Sequence, residues 1–380
     1  MNTPYITGVG NTAFGRHPGC DALQLMAEAA QQALADAGLA RGDIDGVLCG
    51  YATTLPHLML STLFCERFGL RPAYAHGMQV GGATGAAMLM LAGDLVRSGR
   101  SQRVLVVAGE NRLSGQSRDI SIQTLAQVGD ATHEVPNGAS VPAYYALLAS
   151  RYLHETGTTE ADLAELAVLM RANAAHHPDA HLRTAITADD VLASKPVATP
   201  LKLLDCCPIS DGAAALVVSR DSGHGPRIAI RGAGQAHLHQ HLTAIDSVLA
   251  CGAAESAGRA FGEAGLGLAD IDYLAIYDSF TITLAMLLEE IGFAPRGGSA
   301  ARLRNGDFLP GGPLPLNTHG GLLSFGHCGV AGGMAHAVEA VRQLGRRAGQ
   351  RQAGQPTRAL VHADGGVMSS HVSLVLAREG

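Results

Sequence analysis

The sequence predicts an α/β protein built from two copies of one half. Three observations carry that prediction: an internal repeat, β-branched runs set between helical stretches, and a composition suited to a covered sheet. Residues 30–48 read AQQALADAGLARGDIDGVL and residues 257–275 read AGRAFGEAGLGLADIDYLA. Ala33, Ala37, Gly38, Leu39, Asp43, Ile44 and Asp45 recur as Ala260, Ala264, Gly265, Leu266, Asp270, Ile271 and Asp272. The segment before each copy also matches, with Ile6-Thr-Gly-Val-Gly10 against Ile230-Arg-Gly-Ala-Gly234. Two matches in the same order at nearly one offset mark a duplicated half.

Each copy of the longer repeat is a helix with alanines at helical spacing, a glycine stop, a short turn and an apolar strand. The runs 103–109 (RVLVVAG) and 358–364 (RALVHAD) are short and β-branched, as buried strands are. Helices are expected over 84–99 and 329–345, before those strands. The segments 211–219 and 364–376 each close a half with a turn and a strand. Between about 112 and 205 lies a helical, His- and Pro-containing insertion without a counterpart in the second half, read as a lid or loop domain that carries specificity. With 221–227 (DSGHGPR) as linker, the first half is residues 1–225 and the second 226–380.

At 380 residues the chain is long enough for two domains. It is 47% hydrophobic and 16% charged, which argues against disorder. A net charge of −6 with no basic stripe makes nucleic acid an unsuitable partner. No apolar run reaches the ~20 residues that span a bilayer, and MNTPYITGVG lacks the charged and apolar regions of a signal peptide. Seven cysteines without a CxxC pair indicate neither a disulfide framework nor a zinc ribbon. The expected location is cytoplasmic.

The run NTHGGLLSFGHCGVAGG (317–333) resembles the thiolase superfamily pattern N-x-x-G-G-x-x-x-x-G-H-P-x-G-A-x-G, and LDCCPISDGAAA (204–215) and YDSFT (277–281) support it. The chain is most similar to sterol-carrier-protein-type thiolases over nearly its whole length. The resemblance implies a thiolase fold, two βαβαβαββ halves forming a five-layered αβαβα core with a loop-domain insertion. It also implies a reactive cysteine at the start of a buried helix in the first half, where the helix dipole and free N–H groups stabilise a thiolate. The matching stretch here is VGGATG (80–85), and Gly82 stands at that position, so no acyl-enzyme can form there. Cys65, the nearest upstream cysteine, reads as core.

The resemblance makes His327 the leading catalytic candidate, as an oxyanion-hole donor and proton carrier with an ordinary pKa near neutrality. Tyr277 stands where the sterol-carrier type has histidine, at the end of a strand, an α/β site edge. The nucleophile-less thiolase-fold aldolases of steroid side-chain breakdown are similar in this respect, although they carry a second tyrosine at the position of His327. His362, in VHADGG (361–366), stands near the family's second cysteine, and Cys328 replaces the motif proline as an alternative thiol. Asp278 either orients a neighbour or caps a helix beginning near Ser279. Gly81, Gly82, Gly320, Gly321, Gly365 and Gly366 are expected to bring backbone close to a thioester, with Asn317 and Asp278 as further substrate-binding candidates. His176, His177 and His181 read as a solvated loop without the ligands of a metal site, and His237, His239 and His241 as alternating residues of one strand face without a fourth ligand.

A thiolase pocket without its nucleophile can still stabilise an acyl-CoA enolate. The expected activity is therefore retro-aldol cleavage of a β-hydroxyacyl-CoA, with Tyr277 or His327 as base and the Gly365–Gly366 backbone helping hold the thioester oxygen. The alternatives are a non-catalytic acyl-CoA-binding or scaffolding subunit, and a thiolase or acyltransferase acting through Cys328. The family resemblance adds a homodimer or larger assembly, a small OB-fold, zinc-ribbon partner subunit, no metal, and coenzyme A thioester as substrate in place of a resident cofactor.

Overall fold

The structure is a computed structural model that describes residues 3–380 except 139, 222, 224 and 248. Two linker positions, 222 and 224, thus lie outside the described residues. The first half runs β1 (Tyr5–Asn11), α1 (Ala22–Ala37), β2 (Gly46–Gly50), α2 (Leu60–Phe68), β3 (Tyr74–Met78), α3 (Thr84–Arg97) and β4 (Arg103–Asn111). The insertion follows, with helices α4 (Arg112–Gly115), α5 (Arg118–Ala126), α6 (Val141–Thr156), α7 (Glu160–Ala175) and α8 (Ala188–Ala193) and the small pair β5 (Pro196–Ala198) and β6 (Leu201–Lys202). Strand β7 (Asp211–Ser219) closes the half. The second half runs β8 (Arg227–His237), α9 (Ala253–Ala264), β9 (Tyr273–Ile276), α10 (Thr281–Ile291), α11 (Ser299–Arg304), α12 (Val330–Leu344), β10 (Arg358–Gly365) and β11 (Ser370–Glu379).

Sheet order displays the duplication. The strands lie in the order β3-β2-β4-β7-β1-β8-β11-β10-β9. Outward from the centre, β1-β7-β4-β2 is matched by β8-β11-β10-β9, with the same sequence of antiparallel and parallel pairings. Within the sheet, among the described residues, the halves join through β1 and β8, where Tyr5 faces Ala229 and Ile6 faces Ile228. The edge strand β3 has a reduced counterpart, a single parallel bridge between Leu274 and Leu316. Helices α3 and α12 pack on each other and on strands of both halves, whereas α1 and α9 each cover the outer face of their own half. The result is the five-layered thiolase fold. The insertion does not stand free, because α6 and α7 pack against α10.

The repeated sequence features are one physical contact made twice. A Cβ on Gly8 would lie 2.2 Å from the Ala33 carbonyl, and one on Gly10 would lie 2.4 Å from that of Ala29. In the second half, Gly232 meets the Ala260 carbonyl at 2.2 Å and Gly234 that of Ser256 at 2.3 Å. The I-x-G-x-G strand and the alanine-rich helix are complementary surfaces that place backbone against backbone. Each helix stops at a left-handed glycine, Gly38 or Gly265.

Cys65 sits on α2 in the apolar core beneath β2, as its sequence context indicates. The histidine expectations need correction. His177 is buried against Phe325, with ring centroids 4.7 Å apart, because the turn after α7 folds inward. Strand β8 ends at His237, so His239 and His241 lie beyond it and the three do not share one strand face. Among the described residues no helix is long and apolar enough to cross a membrane. Gly232→Ala should cost about 3 kcal/mol, since the added methyl must displace a helix carbonyl; thermal unfolding of the purified variant checks this.

Candidate active site

The site forms where the first turn of α3, the end of β9 and the start of α12 converge. The turn before α3 is held by Thr84, whose hydroxyl accepts from the Val80 N–H (2.8 Å) and donates to the Gly81 carbonyl (2.6 Å). Gly82 is placed so that an added Cβ would lie 2.3 Å from the Tyr277 hydroxyl and 2.4 Å from the Asp364 carbonyl. The space a side chain at 82 would occupy is filled by Tyr277. The absent cysteine and the present tyrosine are two sides of one steric fact.

Tyr277 follows β9 directly, and its N–H donates to the His362 carbonyl at 3.0 Å. Its hydroxyl is 3.1 Å from His327 Nε2. Tyr277 is buried, whereas His327 keeps partial exposure. The backbone of His327 is pinned by its own N–H to the Pro208 carbonyl (3.2 Å) and by the Ser210 N–H to its carbonyl (3.0 Å). Burial, reinforced by the nearby Arg112 charge, pushes the His327 imidazole down to about 3, so the ring is neutral at physiological pH. Burial also raises the Tyr277 phenol well above its ordinary value, with Asp364 adding to the rise. The pair is therefore a neutral phenol against a neutral imidazole.

The other predicted residues support this pair or lie away from it. Asn317, at φ 44°, accepts from the Ile276 N–H (2.8 Å) and donates to the Ile276 carbonyl (2.7 Å), replacing a missing strand partner and fixing the residue before Tyr277. Asp278 neither touches the cleft nor caps α10, which begins at Thr281. It is fully buried, accepts from the Leu322 N–H at 2.7 Å and stands 3.3 Å from His336 Nε2. It thereby fixes the tight turn Gly321–Phe325 that leads into His327. Gly321 is glycine to admit it, since a Cβ there would be 1.9 Å from the Asp278 carboxylate. Gly320 makes room for Ala174 of α7, at 2.4 Å.

The expectation for Gly365 and Gly366 changes as well. A Cβ on Gly365 would strike the Val80 carbonyl at 2.2 Å, and one on Gly81 the Gly366 N at 2.7 Å. These glycines bring the two halves' backbones together behind Gly82. His362 is not brought to the cleft. Its ring bonds Ser373 Oγ (2.8 Å) and His371 Nδ1 (3.1 Å), and Ser373 bonds Ser256 of α9, on the outer face of the sheet. Strand alternation decides this: one residue on, Ala363 takes the opposite face.

Cys328 is fully buried, and burial with the Glu110 charge pushes its thiol well above the ordinary value. A thiol so raised disfavours the thiolate that acyl transfer requires. Sequence reasoning missed Cys207, whose N–H donates to the Ser279 carbonyl at 3.0 Å, two residues after Tyr277. Its thiol is likewise raised by burial. Also missed were Arg112 with Glu110, a buried pair 3.5 Å apart near His327, and Asp364 with Tyr145. Asp364 lies inside the VHADGG run, where an acid among apolar strand residues was the available signal. Tyr145 belongs to the insertion, which has no repeat to align it.

Family models agree with this geometry. Residues 5–222 match the thiolase N-terminal domain and residues 234–378 the thiolase C-terminal domain-like model. The chain belongs to the thiolase family. It is 33% identical to the steroid side-chain-cleaving aldolase of Thermomonospora curvata, over 97% of each chain. It is 30% identical to the acetyl-CoA acetyltransferase of Methanothermobacter thermautotrophicus, over 96% of this chain and 97% of that one. Among solved structures, the Ltp2-ChsH2(DUF35) aldolase superposes with a TM-score of 0.86 at 30% identity, covering 99% of this chain and 98% of that one.

Gly82→Ala should destabilise the protein, and Tyr277→Ala in the same chain should relieve the part of that cost that comes from the phenol, leaving the contact with the Asp364 carbonyl. A double-mutant cycle by denaturant unfolding should give a coupling of about 1–3 kcal/mol, whereas additive effects would mean that the two residues do not share space.

Proposed function

We propose that the protein is a retro-aldol carbon–carbon lyase acting on a β-hydroxyacyl-CoA. The observation that carries this reading is the Tyr277 hydroxyl standing in the side-chain space of position 82, within hydrogen-bonding distance of His327. Acyl transfer needs a nucleophile there, and Gly82 offers none. Enolate chemistry needs only a proton carrier and oxyanion donors.

In this reading Tyr277 takes the β-hydroxyl proton while its own proton passes to His327 Nε2. The O–H electrons form a carbonyl, the Cα–Cβ bond breaks, and its electron pair moves onto the thioester as an enolate. Burial makes an imidazolium costly, so the proton returns through Tyr277 to Cα within the same turnover. The products are an aldehyde or ketone and a shorter acyl-CoA. The steroid side-chain-cleaving aldolase relative and the aldolase structure support the lyase class. Coenzyme A thioester enters as substrate, and no step calls on a resident cofactor. Partner and assembly belong to the same proposal: a small subunit of the kind paired in the Ltp2-ChsH2(DUF35) aldolase, and a homodimer or larger assembly through the edge strand β3, which among the described residues pairs with β2 alone. Cytoplasmic placement completes it.

Tyr277→Phe should lower kcat on a β-hydroxyacyl-CoA by roughly 10²–10⁴-fold while leaving CoA-ester binding by calorimetry near wild type; undiminished turnover removes Tyr277 from the mechanism. Because His327 stays neutral down to about pH 3, kcat/KM should be flat between pH 5 and 7. A protonation step near pH 6.5 in that profile would contradict a His327 held neutral by its surroundings.

A further inference from the structure

Behind the Tyr277 pocket, Asp364 of β10 lies 1% exposed. One carboxyl oxygen, Oδ2, is 2.8 Å from the hydroxyl of Tyr145 on α6, and that hydroxyl is also 3.4 Å from the Gly366 carbonyl. The other oxygen, Oδ1, is buried without a hydrogen-bond partner. The N–H groups of Gly365 and Met368 come near the carboxyl but not in hydrogen-bonding geometry. The titratable groups facing it are Tyr145 from α6, Tyr277 after β9, Glu290 from α10, Cys251 before α9, and its cross-strand partner His371 on β11. None of these is a cation, since burial holds His371 neutral, with its imidazole down to about 4. Glu290 accepts the N–H groups of Gly252 and Ala253 at the start of α9 (2.8 and 3.0 Å). A carboxylate at Asp364, with one oxygen buried and unpartnered and no cation facing it, would be costly.

We infer that Asp364 works as a carboxylic acid and is a positioning residue for the Tyr277 pocket: its O–H donates to Tyr145, whose own O–H donates to the Gly366 carbonyl, tying the insertion helix α6 to the turn that backs Gly82. The chain of donors satisfies both hydroxyls and leaves no buried charge. The ring of Tyr145 stacks on Phe280, centroids 4.4 Å apart, so the tie reaches the segment that carries Tyr277 from a second side. Losing the Asp364 proton breaks the Tyr145-to-Gly366 link, because the phenol must then donate to the carboxylate. The burial that disfavours the carboxylate pushes Asp364 up to about 8, which puts this change at the alkaline edge of the neutral range.

An unfolded chain gives up this proton near pH 4, whereas the folded chain keeps it to about pH 8. The stability that the acid form contributes is therefore complete below pH 4 and is lost as pH rises toward 8. Asp364→Asn keeps a donor to Tyr145 and cannot ionise. Its Tm should gain on wild type by roughly 1–2 °C per pH unit from pH 5 to 8 and then level off; a gap constant from pH 5 to 9 overturns the inference. Infrared difference spectra at pH 7 give the same answer directly, with a protonated-carboxyl band in wild type that is missing in Asp364→Asn, and a carboxylate band instead would also overturn it. Should that variant not fold, Tyr145→Phe replaces it: wild-type levelling near pH 8 should move upward, and an unmoved level overturns the inference. These readouts need no turnover, so they stand apart from the retro-aldol reading. On that reading, the wild-type fall in kcat between pH 7 and 9 should flatten in Asp364→Asn.

Discussion

Everything at the candidate active site depends on one close approach, the packing of the Val80–Ala83 turn against the Asp364–Gly366 turn. Backbone meets backbone there because Gly81, Gly82 and Gly365 lack side chains. Into the remaining gap fits one hydroxyl, that of Tyr277. A pocket so filled has no room for a nucleophile on α3, whatever the dipole of that helix offers. In the proposed lyase, chemistry moves across the cleft, to the second half.

That transfer demands that Tyr277 and His327 be held firmly, and both are held through backbone. Asn317 completes the hydrogen bonding of Ile276 from outside the sheet, where the second half lacks a full counterpart to β3. Asp278 spends its carboxylate on the amides of the turn before His327. The 208–210 segment pins His327 from the first half. Conserving buried polar groups for such local work is economical, since each carboxylate or amide that replaces a missing strand partner removes an unsatisfied donor or acceptor.

How much of this was legible in the sequence follows from what each feature depends on. The duplication, the glycine-alanine contact of strand and helix, and the termini of α1 and α9 rest on local pattern and repeat, so they could be read directly. The pairing of Tyr277 with His327 was legible only as two residues of interest, since nothing local says that residues 50 positions apart share a hydrogen bond. His362 was misread because alternation along a strand sends neighbouring residues to opposite faces, and a motif placed one residue off lands in the wrong layer. Sequence pattern points Gly365 and Gly366 at a ligand, whereas the space beside Gly365 is taken by the Val80 carbonyl of the other half and that beside Gly366 by Ser369 of its own turn.

Sequence alone determined the α/β class, the two halves and the missing nucleophile at position 82, because periodicity, repeats and an absent side chain are properties of the chain itself. Tertiary structure alone decided what fills the vacated space, which cysteines are too deeply buried to react, and how Tyr145 of the insertion meets Asp364. Those outcomes depend on which distant surfaces touch and how much water they exclude, and neither quantity is written in any short stretch of residues.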